Sequence, residues 1–109
     1  MANSYKTLGQ AAPAATTATD LYTVPTATET IVSTIVVANR SATGATFRIS
    51  VSLDGAATAT KDYLAYDVAI AGNGLQALTF GITMNAADKI RVYASSADLS
   101  FNAFGSEIA

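Results

Sequence analysis

Eight carboxylates are the groups in this 109-residue chain with the best claim to chemistry: Asp20, Glu29, Asp54, Asp62, Asp67, Asp88, Asp98 and Glu107. Two of them facing one another at about 5–9 Å could run glycoside hydrolysis. No two are paired locally, most fall in turns or on expected solvent faces, and no Trp stands near them to hold a sugar. Asp prefers turns for its own backbone-bonding reasons, so these residues read as punctuation, and no catalytic residue is assigned. Asp54-Gly55 lacks the regular oxygen series of a calcium loop, and Gly72-Asn73-Gly74 is too short to cradle phosphate. Neither a metal nor a cofactor is expected.

The missing residue types exclude more. The chain has no Cys, which removes disulfides, thiolate metal sites and thiol nucleophiles. It has no His, which removes the commonest general base and every Ser-His-Asp arrangement. Six scattered Lys and Arg against eight acids, a net charge of −2, give no basic stripe for nucleic acid. The longest strongly apolar run, Ile35–Ala38, is far short of the roughly 20 residues of a membrane span. Residues 7–19 hold one Leu among Thr, Gly, Gln, Ala and Pro, so no signal peptide is expected. Without one, Asn39-Arg40-Ser41 reads as a chance glycosylation match.

Aromatic side chains are the more informative polar-capable groups. Tyr5, Tyr63, Tyr93 and Phe104 fall opposite the apolar positions of their segments, where exposed aromatics mark protein interfaces and sugar-binding clefts alike. These four are the candidate interface residues. Phe47, Tyr66, Phe80 and Phe101 fall on apolar faces and are expected in the core. Asp67 lies in mid-segment and is expected to pair across strands with Arg48 or Arg91.

The elements that must carry these residues are strands. Phe47, Ile49, Val51 and Leu53 alternate with Thr46, Arg48, Ser50 and Ser52. Lys61–Ala71 places Leu64, Tyr66, Val68 and Ile70 inward and Tyr63, Ala65, Asp67 and Ala69 outward. Leu75–Ile82, Lys89–Ser95 and Asp98–Ser106 alternate likewise, with Leu78, Phe80, Ile82, Ile90, Val92, Leu99 and Phe101 inward. Thr30–Asn39 is apolar on both faces and is expected to be a central strand covered on both sides. Leu21–Val24, halted by Pro25, and an edge strand at Ser4–Leu8 bring the count to about eight. Turns fall at Ser41–Gly44, Asp54-Gly55, Gly72–Gly74, Asn85–Asp88 and Ser95–Asp98, several of them read as hairpins. The expectation is an all-β chain: a single antiparallel β-sandwich, jelly-roll-like or immunoglobulin-like, over residues 20–109, preceded by an N-terminal arm at 1–19. Leu, Ile, Val and Phe make only 25 of 109 residues, while Ala and Thr make 38. Such a core is thin, and partners would add to it.

Three stretches carry a resemblance. They are Leu21-Tyr22-Thr23-Val24-Pro25; Ile35–Ser41 followed by Thr46-Phe47-Arg48-Ile49; and Ala87–Ser95, which contains Asp88, Ile90, Val92, Ala94 and Ser95 at the spacing D-x-I-x-V-x-A-S. In order and spacing, over about residues 20–107, they resemble the small β-sandwich accessory proteins of tailed bacteriophage particles. That family typically has Gly after its "VP-A", where this chain has Thr26-Ala27-Thr28. The resemblance implies a non-enzymatic, homo-oligomeric virion structural protein, made in the host cytoplasm and bound to other virion proteins of the capsid, neck or tail. It assigns no binding residues. The competing reading, carried by Tyr63 and Tyr93, is a carbohydrate- or receptor-binding module for host adsorption.

Overall fold

A computed structural model describes residues 3–109; Met1 and Ala2, the start of the expected arm, lie outside it. Eight strands form: β1 (Asn3–Ala11), β2 (Thr19–Thr23), β3 (Glu29–Asn39), β4 (Ala45–Ser52), β5 (Tyr63–Ile70), β6 (Leu75–Met84), β7 (Lys89–Ala94) and β8 (Leu99–Ile108). They make two four-stranded antiparallel sheets in the orders β1-β8-β3-β6 and β2-β7-β4-β5. Strand β1 pairs with β8, β2 with β7, β3 with β6 and β4 with β5. This is one long hairpin wound upon itself, the jelly roll rather than the immunoglobulin key. Only β4 and β5 are a sequential hairpin. The turns Gly72–Gly74 and Ser95–Asp98, read as hairpins from their residue types, are corners between the sheets, because β5 and β7 belong to one sheet and β6 and β8 to the other.

The inward residues of both sheets meet in one core of Leu21, Val32, Ile35, Val37, Phe47, Ile49, Ile70, Ile90, Val92, Leu99 and Phe101, with Phe47 and Phe101 edge-on at 6.1 Å. Strands β4, β7 and β8 keep the expected alternation. The edge strand expected at Ser4–Leu8 is longer at both ends, so residues 3–11 belong to the first sheet. Ala12–Ala18 then crosses to the second. At the crossing a Cβ on Gly9 would lie 2.1 Å from the Leu21 carbonyl oxygen, so only Gly lets β1 approach β2.

Three expectations change, two of them through bulges. Strand β3 is central in its sheet but open on one face. Its register shifts between Val32 and Thr34, so Val32, Ile35 and Val37 point inward while Ile31 is 41% exposed. In β5, Phe47 pairs with Val68 and Ile49 with Ala65, leaving Tyr66 and Asp67 both opposite Arg48. Asp67 takes φ +51 there. The extra residue swaps the two faces: Ala65 packs on the core, while Leu64 and Tyr66 are exposed. Leu53, expected at the inward end of β4, instead opens a short 3-10 turn and is exposed.

Candidate functional site

The two outer faces differ in kind. On the sheet β2-β7-β4-β5 the outward positions carry Asp20, Arg48, Asp67, Lys89 and Arg91. On the sheet β1-β8-β3-β6, the outward positions are Thr, Ser, Asn, Gln, Ala and apolar residues. Among the described residues the charge on that face is at its two ends. Glu29 opens β3, and Arg40, just past Asn39, donates from Nε to Ser100 Oγ at 2.9 Å and from Nη2 to the Ala97 carbonyl at 2.7 Å.

The four candidate aromatics divide between these faces. Tyr5 stands opposite Ser106, and Phe104 lies opposite both Thr7 and Thr34. Tyr5, Phe104, Ile31 and Leu75 are all exposed, and together they make this sheet apolar on its outer side. Tyr63 and Tyr93 lie on the charged sheet, where Arg48 gathers a third ring, Tyr66, that simple alternation places in the core. The Arg48 guanidinium sits 4.2 Å from the Tyr66 ring centre and 4.4 Å from that of Tyr93. Tyr63 meets Tyr66 edge-to-face at 4.8 Å. Arg48 binds Asp67 through Nε to Oδ1 at 2.7 Å and Nη2 to Oδ2 at 3.3 Å, and that carboxylate holds the guanidinium in its charged form. Asp67 therefore pairs with Arg48, one of its two expected partners. Turning Tyr66 outward forgoes about 2 kcal/mol of ring burial. Asp67, a residue type tolerant of left-handed backbone in mid-strand, was the signal in the sequence for this bulge.

Arg91, the other expected partner, is used differently. It donates from Nη1 to Ser52 Oγ, the Ala56 carbonyl and Thr58 Oγ1, from Nη2 to the Gly55 carbonyl, and from Nε to Asp20. The β4–β5 connection, residues 53–62, is thereby folded back over the sheet, which is why Ser50 and Ser52 are buried although they point away from the core. Asp62 accepts from the Ala59 amide at 2.8 Å and braces the same loop. Between loop and strand lies a hollow of about 500 Å³ lined by Thr58, Ala59, Thr60, Tyr63 and Tyr66.

Five of the eight carboxylates, those of Asp20, Asp62, Asp67, Asp88 and Glu107, are occupied with structural work. Asp20 takes Lys89 at 2.9 Å and Arg91 at 3.1 Å; the Lys89 bond, helped by Arg91, holds it below the usual carboxylate range against partial burial. Asp88 is buried and accepts the Asp54 and Asn85 amides, both at 2.9 Å. Glu107 takes Lys6 at 2.6 Å and the Tyr22 hydroxyl. Among the described residues no three acids cluster as a metal site would require, and no helix is long and apolar enough to cross a membrane. Asn39 is buried, and its side-chain nitrogen donates to the Thr43 and Ala71 carbonyls, so the glycosylation match falls on a committed amide. No protein family, curated protein or solved structure matches the chain.

Proposed function

We propose that this chain is a non-enzymatic structural protein of a tailed-phage particle, a homo-oligomeric jelly roll that decorates or stabilises the capsid or attaches to the neck or tail. The observation that carries the assembly role is the uncharged outer face of β1-β8-β3-β6. Exposed Tyr, Phe, Ile and Leu on one sheet side, with the charge of that side at its two ends, is the composition of an interface core. The virion setting rests on the three motif stretches, and the jelly roll is an architecture that viral coat domains use.

A second copy is the natural occupant of that face. Four strands about 4.8 Å apart and about 3.3 Å of rise per residue give a surface of roughly 600 Å² per copy. Two such faces bury roughly 1,200 Å², the lower bound of a stable specific interface. A two-fold axis lying across the strands reverses them, so Glu29 of one copy meets Arg40 of the other at both ends. An axis along the strands would set Glu29 against Glu29, and like charges oppose that arrangement.

Light scattering coupled to gel filtration tests the assembly, and mass spectrometry of purified particles tests the setting. The expected results are a stable oligomer and a particle-borne chain. A monomer at high concentration, absent from particles, overturns the reading.

A further inference from the structure

We infer that the hollow beside Tyr63 and Tyr66 is a binding site for a short neutral saccharide. This goes beyond the assembly role and does not depend on it, since the hollow lies on the sheet opposite the uncharged face.

Four observations lead there. The lining is Thr58, Ala59, Thr60, Tyr63 and Tyr66: four hydroxyl groups, two aromatic rings and no charge. Hydroxyls both donate and accept, matching a ligand built of hydroxyls. The electron-rich face of an aromatic ring suits the polarised C–H groups of a sugar ring. The volume, about 500 Å³, falls within the range of small-ligand sites, about 300–1,000 Å³.

Charge then narrows the class. Three cations stand around the hollow: Arg48 is bound through two nitrogens to Asp67, Arg91 is bound to Asp20, and the exposed Lys61 follows Thr60 in the chain without being part of the lining. The lining itself presents hydroxyls and rings and no charge, which favours a neutral ligand over an anionic one.

The backbone supplies the independent observation. Without the bulge at Tyr66-Asp67, strand alternation would bury Tyr66; with it, Asp67 holds φ +51 and the Tyr66 ring is 57% exposed. Bulges re-aim side chains, and strain held at one residue is a mark of functional surfaces. Here the re-aimed residue is the wall of the hollow. Its neighbours are fixed in advance: Arg48 packs against Tyr66, Tyr63 meets it edge-to-face, and Arg91 and Asp62 hold the opposite wall. Little ordering is left to oppose binding.

The protein has no Trp, so its tyrosines report binding directly. Tyrosine emission of the intact chain should change saturably on titration with at least one of maltohexaose, cellohexaose, chitohexaose or mannohexaose. Tyr66→Ala should weaken that binding at least about tenfold, and Thr60→Arg, which fills the hollow from an exposed loop position, should do the same in a chain that folds normally. Tyr5→Ala, on the opposite face, should leave it unchanged. No saturable response to any of the four sugars overturns the proposal. So does binding that survives both Tyr66→Ala and Thr60→Arg, or displacement of the neutral sugar by a sulfated oligosaccharide at lower concentration.

Discussion

The Tyr22 hydroxyl donates to Glu107 Oε2 at 2.5 Å and joins the two sheets at one rim of the sandwich. It shares a further hydrogen bond with Thr30 Oγ1 at 2.8 Å, and Lys6 closes on the other Glu107 oxygen. Strands β1, β2, β3 and β8 thus meet at a polar knot beside an apolar core. Lys6, then Tyr22, hold the Glu107 carboxyl below the usual range, outweighing its partial burial. Burial, reinforced by the Glu107 charge, pushes Tyr22 up to about 12.

The knot should confine stability from both sides of the pH scale. Glu107 ionises more readily folded than unfolded, so its contribution is complete above its ordinary value of 4.5 and is lost as pH falls through the lower folded value. Tyr22 resists ionisation when folded, so its contribution is complete below 10.0 and is lost as pH rises toward about 12. Glu107→Gln should cost about 1–3 kcal/mol at neutral pH and flatten the acid limb of a urea-midpoint profile. Tyr22→Phe should flatten the alkaline limb. An ultraviolet titration should find Tyr22 still protonated where its raised value predicts, and an acid limb unchanged in Glu107→Gln would refute the assignment.

Arg91 should behave as the fastening of residues 53–62. Its fork serves three loop groups, Gly55, Ala56 and Thr58, besides Ser52 and Asp20. Arg91→Lys keeps the charge but not the fork, so it should restore little of what Arg91→Met loses, about 2 kcal/mol. Limited proteolysis should then cut within residues 53–62, at sites protected in the parent. Equal protease resistance in parent and Arg91→Met would show that the loop is held by something else.

Two left-handed positions predict opposite signs. Ala27 takes φ +57 in the turn after Pro25, close to where the resembled pattern carries Gly. Ala27→Gly should stabilise by about 0.5–1 kcal/mol, relief of the Cβ clash exceeding the added unfolded-state entropy. Asp67→Val puts a β-branched residue at φ +51 and should cost at least about 1–2 kcal/mol. Asp67→Asn, which tolerates that backbone and loses only a half-exposed ion pair, should cost under about 1 kcal/mol. Urea denaturation of the three variants measures all of these.

These bulges also mark where the sequence could be read and where it could not. In β4, β7 and β8 nothing interrupts the period of two, and Phe47, Ile49, Ile90, Val92, Leu99 and Phe101 are buried where alternation places them. At Ser33 and at Tyr66-Asp67 the register slips, and the residues on the two sides of each slip no longer follow one alternation: Val68 and Ile70 keep the inward face, while Tyr66 and Leu64 before them do not. That is why alternation places Ile31 and Tyr66 in the interior while both stand in solvent. Tyr63 and Tyr93 were legible as outward; their meeting with Tyr66 around Arg48 was not, because it depends on which strands lie side by side. Ser95–Asp98 shows the same limit: its residues specify a tight turn, and only the packing of the two sheets decides whether that turn makes a hairpin or a corner.

The acid and base at opposite ends of the uncharged face give the assembly its sharpest test. If strands of two copies cross that interface in opposite directions, Glu29 faces Arg40 twice. Glu29→Lys then places like charges at both ends and should weaken association at least about tenfold, as should Arg40→Glu. The double variant exchanges the charges and should recover most of the parent affinity, because the pairing is restored in reverse. Phe104→Lys, at the centre of the face, should disrupt association without rescue by either change. All three side chains are exposed, so urea midpoints should stay close to the parent and separate lost assembly from lost folding. Light scattering across a dilution series reads each affinity. Single variants that both weaken association while the double fails to recover it would rule out the antiparallel two-fold. Association untouched by Phe104→Lys would move the interface to another surface altogether.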